Sequence, residues 1–328
     1  MKTRFPRATA FVAAIIAILA VSPAAWSQDW PNRPVRVIVP FGAGGSGDAV
    51  ARTLSEHLAT AFGQQFVVEN RTGAAGAIGA KAISTAPPDG YTIGITNLSV
   101  LSLVPVIATS AGYDPLAGFS HIAYGAGAPV VLAGNPKTGV KTLDQFIKYA
   151  TEKKAFTYAS SGVGSDGHLM GEAIAASMKL TVEHVPYKST SQALVDVVGN
   201  HVPFSTFTLS STSQFLREGT LNGIAVTSAK RLPDFPNLPT FVELKYPELE
   251  GTTWFSISGP AGLPKEIVDK LNAEINRIVR MPAVESRFRR DGFQANPLSP
   301  AAFTAYVASE NKRWRALVER AGLLGKGG

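Results

Sequence analysis

The stretch VRVIVPFGAGGSGDAVARTLSEHLATAF, residues 35–62, joins a β-branched run to a glycine-rich loop and then to an amphipathic segment. Residues 35–41 have the composition of a buried strand. Apolar side chains then recur at the four-residue spacing of one helix face, at Val50, Leu54, Leu58 and Phe62. A strand that leads directly into a helix is the unit from which α/β sheets are built. The stretch therefore predicts an α/β fold.

The same alternation of strand-like and helix-like segments continues along the chain. Short apolar runs are typical of strands at 65–70, 91–96, 129–135, 155–161, 182–187 and 223–228. Amphipathic segments separate them, and two more predicted helices close the chain at 266–281 and 301–322. This order predicts a mostly parallel sheet with helices on both faces, divided between two α/β lobes. We expect residues 113–115 and 246–247 to carry the chain from one lobe to the other.

Length and composition fit a globular chain of about two domains, at roughly 150 residues each. The 328 residues are 45% apolar and only 17% charged, which argues against a disordered chain or a coiled coil. Cysteine is absent, so disulfides, thiolate metal sites and cysteine nucleophiles are excluded. Of the net charge of +7, three positive charges lie at Lys2, Arg4 and Arg7, which leaves +4 for the chain after residue 27. This mild positive charge suits an anionic small ligand and is weak evidence for a nucleic acid partner, so we expect none.

Residues 1–27 have the pattern of a secretory signal peptide. Positive charge precedes an uninterrupted apolar run at 10–21. Pro23 ends the run, and small residues stand before an expected cut ahead of Gln28. The alternative is a membrane anchor, but the run is shorter than the roughly 20 residues that a bilayer span requires. We expect cleavage and export, and an exported chain without cysteine fits a bacterial periplasm.

The glycine-rich loop at 40–48 is the strongest candidate binding element. Its glycines let main-chain N–H groups approach a ligand, and the helix that follows directs its positive dipole end at the same place. Ser46 adds a hydroxyl, and Asp48 can take up free backbone donors in the first helical turn. Two further strand-to-helix loops, at 158–168 and 185–192, repeat the arrangement. Loops at the carboxyl ends of parallel strands can converge on one crevice, which would hold a small anion such as a carboxylate.

A different function is also compatible with this loop. Gly42, Gly44 and Gly47 satisfy G-x-G-x-x-G, and Glu69 follows at the distance of a dinucleotide fingerprint. Export argues against such an oxidoreductase, and a tight turn without ligand is a third interpretation. Catalytic patterns are weaker: Val163 breaks the nucleophile-elbow pattern G-x-S-x-G, the five histidines lack metal-ligand spacing, and paired carboxylates are missing. We therefore expect no catalytic residues, no metal and no cofactor.

Several long motifs resemble one protein family. WPNRPVRVIVPFGAGGSGDAVAR, VVENRTGAAGAIGAKA, PPDGYTI, YASSGVGSDGHLMGE and HVPYKSTSQALVDVVGN resemble, in this order, the extracytoplasmic solute-binding proteins of tripartite tricarboxylate transporters, also called Bug receptors. The resemblance covers nearly all of residues 30–328. It implies a two-lobed periplasmic-binding-protein type II-like fold with a ligand cleft between the lobes. Lobe one would comprise 28–125 plus 252–328, and lobe two 126–251.

The resemblance also implies function. It implies a monomeric, non-catalytic receptor that captures a small organic carboxylate and delivers it to membrane transporter subunits or a sensor protein. The motifs match the family's ligand-binding positions at Phe41, Gly44, Gly45, Ser46, Asp48, Thr96, Asn97, Ser99, Ser160, Gly162, Ser165 and His168. One departure stands out, because the family commonly carries V-D-x-x-F-D where this chain has Pro203 and Phe207. Loss of an acid there puts amino-acid binding in doubt, and Phe207 would favour an apolar body on the carboxylate.

Overall fold

The computed structural model describes residues 30–107 and 111–320. The predicted signal peptide at 1–27 lies outside the described residues. The strands form one mixed sheet in the order β2-β1-β3-β9-β4-β7-β5-β6, with β8 also paired to β4. Within the described ranges, no helix combines the length and apolarity that crossing a membrane would demand.

The sheet has two halves, which we call lobe one and lobe two. The strands of lobe one are β1 (Val35–Val39), β2 (Phe66–Asn70), β3 (Thr92–Asn97), β9 (Thr252–Pro260) and the first part of β4 (Phe119–Gly134). The strands of lobe two are the end of β4, β5 (Phe156–Ser160), β6 (Val182–Pro186), β7 (Phe204–Thr208) and β8 (Asn222–Val226). In each lobe a glycine- or serine-rich loop follows the first parallel strand and opens a helix.

Helices cover both lobes. They are α1 (Ser46–Phe62), α2 (Ala77–Ser84), α3 (Val104–Ile107), α4 (Leu143–Glu152), α5 (Asp166–Met178), α6 (Thr190–Val198), α7 (Leu209–Arg217), α8 (Lys265–Ile278), α9 (Pro282–Arg290) and α10 (Pro300–Arg320). A π-helical turn at Ser99–Leu103 leads into α3. The predicted stripe on α1 is confirmed, because Val50, Leu54 and Leu58 are buried in the lobe-one core. The sequence also locates the start of α4, where Thr142 and Gln145 form a capping box.

The strand β4 joins the two lobes. Its residues 119–129 pair with β9 of lobe one, and its residues 130–134 pair with β7 and β8 of lobe two. The prediction of a mostly parallel sheet was wrong at this centre, because β4 lies antiparallel to β7, β8 and β9. The prediction of a passage at residues 113–115 was also wrong: these residues precede β4, and the chain changes lobes within that strand. A long strand shared by two halves satisfies its backbone hydrogen bonds within the sheet in both of them.

Separate apolar cores stabilise the two lobes. In lobe one, α1 and α8 pack on one face of the sheet, and α10 packs on another cluster that contains Trp254 and Phe303. In lobe two, Phe146, Phe156 and Phe204 form an aromatic centre with ring centroids 4.9 and 5.0 Å from Phe146. Each core orients its own helices, so the carboxyl ends of β1 and β5 and the helices that follow them face the junction between the lobes.

Candidate functional site

A cavity of about 790 Å³ lies between the lobes. Lobe one contributes residues 40–42, 45–47 and 72–77 together with Asn97, Val104, Ile107 and Phe255. Lobe two contributes residues 161–164, 166–167, 187–190 and 206–208 together with Ser211. The three loops that the sequence singled out, at 40–48, 158–168 and 185–192, therefore all reach this cavity.

The N-terminus of α1 opens into the cavity. Gly45 is the N-cap and supplies no side-chain acceptor to the helix. Helix geometry leaves the N–H groups of Ser46 and Gly47 without an intrahelical partner, and both residues line the cavity. A Cβ on Gly47 would lie 3.1 Å from the Phe41 ring, so a side chain at residue 47 would push against this ring. Free donors at the positive end of a helix form a suitable site for a carboxylate.

Asp48 holds this loop in place through hydrogen bonds that lie outside the cavity lining. Its Oδ2 accepts hydrogen bonds from Gly44 N at 3.0 Å and Arg52 Nε at 2.8 Å, and its Oδ1 accepts from Asn70 Nδ2 at 2.9 Å. Burial alone would raise the pKa of this carboxyl, but the hydrogen bonds from Arg52, Gly44 and Asn70 outweigh burial and hold the pKa below its ordinary value. Neither Asp48 nor Gly44 lines the cavity. Their polar groups are used within the loop, and contact of these two residues with a ligand stays a prediction.

The loop at 72–77 supplies a part of the wall that the site prediction missed. Gly73, Ala74, Ala75 and Gly76 all have positive φ angles, of 127°, 46°, 51° and 96°. Left-handed backbone is costly for alanine. This backbone conformation places the segment beside the Phe41 ring. A Cβ built on Gly76 would lie 3.1 Å from that ring. In the sequence, the two glycines of TGAAG, residues 72–76, are the pattern that could have indicated this loop.

The lobe-two loop is held by a second layer of polar side chains. Ser160 Oγ lies 2.6 Å from His184 Nε2 and accepts a hydrogen bond from Gly162 N at 3.2 Å. Ser165 is the N-cap of α5 and accepts from His168 N at 3.1 Å. Nδ1 of His168 accepts from Gly164 N at 3.2 Å, and burial lowers the pKa of this imidazole.

Of this group, Gly162 lines the cavity, whereas Ser160, Ser165 and His168 do not. The polar atoms of these three side chains make hydrogen bonds within the loop, and their contact with a ligand stays a prediction. A sequence motif identifies the loop as a whole. It does not distinguish the residues that line the cavity from those that form hydrogen bonds within the loop.

The predicted residues in and after β3 also fall into two groups, one that lines the cavity and one that does not. Asn97 lines the cavity, and its Oδ1 also accepts from Val100 N at 3.0 Å. Thr96 is fully buried within the sheet, where its hydroxyl lies 2.8 and 2.7 Å from those of Ser256 and Ser258. Ser99 donates to Gly164 O at 3.2 Å across the junction between the lobes. Thr96 and Ser99 are not lining residues, since each side chain is satisfied by protein atoms.

Hydroxyl groups join the lobes directly at the edge of the cavity. Ser46 Oγ of lobe one lies 2.5 Å from Thr208 Oγ1, 2.6 Å from Ser210 Oγ and 2.7 Å from Ser211 Oγ of lobe two. Beside them, Ser191 Oγ donates to Ala43 O at 2.9 Å. We call Ser46, Thr208, Ser210 and Ser211 the hydroxyl latch. The lobes are in contact here, so the structure is a closed arrangement.

Charge is sparse among the lining residues. Among the described residues that line the cavity, two have charged side chains, Asp166 and Lys188. The Lys188 side chain is exposed, whereas Asp166 is half-buried and accepts a hydrogen bond from the Thr253 hydroxyl of β9. Burial raises the pKa of the Asp166 carboxyl above its ordinary value, and hydrogen bonds from Thr253 and from backbone N–H groups oppose that rise. The site prediction did not include Asp166.

Aromatic side chains provide the apolar part of the lining, at Phe41, Phe207 and Phe255. Phe207 is 3% exposed and belongs to a lobe-two core cluster with Ala159, Ala193 and Leu194. Its ring is therefore mainly a packing element that the cavity touches. Phe41 is less buried and packs beside the start of α1, which makes it the more accessible apolar surface.

The dinucleotide alternative does not fit this geometry. Glu69 lies outside the cavity lining and pairs with Arg71 at 2.5 Å and Arg36 at 3.7 Å. Its carboxylate is thus occupied at the surface of lobe one and is not directed at a ribose position. Within residues 30–107 and 111–320, no group of His, Asp or Glu is arranged to hold a metal ion.

Comparisons with known proteins agree on one family. The family described as "Tripartite tricarboxylate transporter family receptor" matches residues 50–323. Among curated proteins, the chain is similar to Protein BugT of Bordetella pertussis, with 31% identity over 322 residues that cover 96% of this chain and 98% of BugT.

Two solved structures have the same fold. The periplasmic binding protein BugD superposes with a TM-score of 0.86 at 31% identity, over 90% of this chain and 99% of BugD. R. palustris Rpa4515, solved with adipate, superposes with a TM-score of 0.87 at 32% identity, over 90% of this chain and 99% of Rpa4515. The expected two-lobed solute-binding fold is confirmed.

Proposed function

Because the chain belongs to the family of tripartite tricarboxylate transporter receptors, we propose that it captures a small organic carboxylate between its lobes in the periplasm. It then presents the closed complex to membrane transporter subunits or to a sensor protein. Members of this family are binding receptors, and we propose no catalytic role for this chain. One relative with the same fold was solved with adipate, a dicarboxylate.

One observation carries the proposal for this chain. The free N–H groups of Ser46 and Gly47 open into a cavity that both lobes line. Gly45 and Gly162 contribute main chain without side-chain bulk, one from each lobe. A carboxylate placed at α1 would receive backbone hydrogen bonds and the favourable end of the helix dipole, typically about 0.3–1 kcal/mol and up to ~2 kcal/mol when partly buried. Of the predicted ligand-binding residues, we retain Phe41, Gly45, Ser46, Asn97, Gly162 and Phe207.

Closure couples binding to signalling. A ligand that contacts both lobes binds fully only to the closed arrangement, and it shifts the equilibrium by its differential affinity for closed over open. We propose lobe boundaries at 28–125 plus 252–328 and at 126–251, so that the pivot lies in β4 and at the start of β9. We further propose export through a cleaved signal at 1–27, and a monomeric receptor in the periplasm.

The test is a ligand screen on the mature chain. Thermal-shift measurements with dicarboxylates, tricarboxylates, amino acids and aromatic acids should find at least one that stabilises the protein. A ligand at one hundred times its Kd adds about 2.7 kcal/mol to the free energy of unfolding. Native mass spectrometry of freshly purified protein should show the same acid bound. If no acid stabilises the chain and none co-purifies, the receptor proposal fails.

A further inference from the structure

The two helix N-termini at the cavity are not equivalent. At α1, the N–H groups of Ser46 and Gly47 have no intrahelical partner and the N-cap supplies no side chain. At α5, the carboxyl group of Asp166 lies in the first helical turn and lines the cavity. The N–H group of His168 donates to Ser165 Oγ at 3.1 Å. The start of α5 therefore presents a carboxyl group of the chain itself to the cavity, whereas Asp48, the acid in the first turn of α1, does not line it.

Asp166 brings a carboxyl group to this end of the cavity. Its Oδ2 accepts from the Thr253 hydroxyl, which belongs to lobe one, so the carboxylate is fixed across the junction. An ionised carboxylate has about four acceptor positions. The Thr253 hydroxyl occupies one of them. Because Asp166 also lines the cavity, its carboxylate has acceptor positions left for a group of the ligand.

The neighbouring charges do not neutralise Asp166. Lys188 is the other charged lining residue, its side chain is exposed, and none of the salt bridges between described residues joins it to Asp166. The nearest basic groups on α5 and β6, His168 and His184, both have a lowered pKa because of burial. Glu172, one turn beyond His168 on α5, is itself acidic, and its Oε1 lies 3.9 Å from His168 Nε2. A half-buried carboxylate without a cationic partner carries a desolvation cost that a bound cation would offset.

We propose that Asp166 is a specificity-determining residue that accepts a hydrogen bond from an ammonium group of the ligand, while the ligand carboxylate binds at the start of α1. The ligand class is thus an amino acid or a similar zwitterion, bound with its charges oriented between the two helix N-termini. This inference rests on the proposed receptor function and narrows it. It also answers the doubt raised at Phe207, since an acid absent from β7 is present at the start of α5 instead.

The experiment compares matched pairs of acids that differ in one amine. Isothermal titration calorimetry on the mature protein would use aspartate with succinate, glutamate with glutarate, and phenylalanine with 3-phenylpropionate. A charged hydrogen bond is expected to make the amino member bind about tenfold to a hundredfold more tightly in the pair that fits. Asp166→Asn keeps the shape and an acceptor for the backbone N–H groups but removes the charge, and it should abolish that preference.

Asp144→Asn is the matched control. Asp144 lies in the first turn of α4, away from the cavity, so this variant should keep the wild-type preference. The inference is overturned if the tightest-binding acid lacks an amine, or if Asp166→Asn keeps the full preference for the amino member. The wild-type comparison decides the matter even if the variant folds poorly. Failure of every acid to bind would contradict the receptor function itself, which separates the two outcomes.

Discussion

Gly42 of lobe one and Ser189 of lobe two approach so closely that a Cβ built on Gly42 would lie 2.5 Å from the Ser189 Cβ. Ser189 is also the N-cap of α6, where its hydroxyl accepts from Gln192 N at 3.3 Å. Its position is therefore fixed by its own helix. The absence of a side chain at residue 42 is what allows the two lobes to meet on this side of the cavity.

Gly42→Ala should weaken ligand binding by about tenfold or more, because the new methyl group opposes closure while the open lobes remain folded. Calorimetric titration with the ligand found in the screen measures the loss. Gly251→Ala is the control, since Gly251 does not line the cavity and its Cβ would meet nothing nearer than Met170 Cε at 3.8 Å. Equal affinity of Gly42→Ala and the wild type would show that binding does not require this contact.

Ser46→Ala removes the central member of the hydroxyl latch. Each hydrogen bond contributes about 0.5–1.5 kcal/mol, so the closed arrangement should lose about 1–2 kcal/mol and the apparent Kd should rise by about fivefold to thirtyfold. Small-angle X-ray scattering with saturating ligand should still show closure. An unchanged Kd would mean that the latch contributes nothing to the closed state.

Ser55→Ala, on the same helix, serves as the comparison for Ser46→Ala. The Ser55 hydroxyl is buried and has no hydrogen-bond partner. Its removal should leave binding unchanged and raise the free energy of unfolding by about 1 kcal/mol, because an unsatisfied buried polar group is costly. Urea denaturation measures this gain, and a loss of stability would contradict it.

The loop at 40–48 could be predicted because glycines between a strand and a helix indicate a tight turn whose backbone can approach a ligand. This signal depends only on residues that are neighbours in the sequence. The same locality identified α4 through the capping box of Thr142 and Gln145. Local patterns of this kind located α1, α4 and the three loops at the cavity.

The roles of individual side chains depended on distant partners and could not be predicted in this way. Asp166 takes its orientation from Thr253, which is 87 residues further along the chain. Ser46 meets Thr208 at a separation of 162 residues. Thr96 and Ser160 have the residue types of ligand contacts, but tertiary packing directs their hydroxyls to other protein atoms. The path of β4 through both lobes is likewise a property of the assembled sheet.

Asp48→Asn should destabilise the fold by about 1–3 kcal/mol at neutral pH, with little effect on ligand affinity. The pKa of Asp48 is held below its ordinary 3.8 by its hydrogen bonds, so its stabilising contribution is present above that pH and is lost as the pH falls through the lowered pKa. The difference from the wild type should therefore shrink in acid. Urea titrations at pH 7 and pH 3 measure it, and Glu56→Gln on the exposed side of α1 is the control. A large loss of affinity with unchanged stability would instead make Asp48 a ligand contact.

His184→Gln should make the stability of the protein less sensitive to acid. Burial and the nearby His168 lower the pKa of His184 from 6.5 to about 4. Between these values the unfolded chain binds a proton that the folded chain excludes, so the free energy of unfolding falls as the pH is lowered from about 6.5 to 4, by at most ~1.4 kcal/mol per pH unit for this group. Burial also lowers the pKa of His121 to about 4. Because His121 remains in the variant, part of the decrease of stability with falling pH remains as well. Melting temperatures across this range should converge between wild type and variant near pH 4, whereas the exposed His201→Gln should follow the wild type. Parallel curves for His184→Gln and the wild type would show that His184 titrates normally and that the loop it supports at Ser160 is more open to water than the structure indicates.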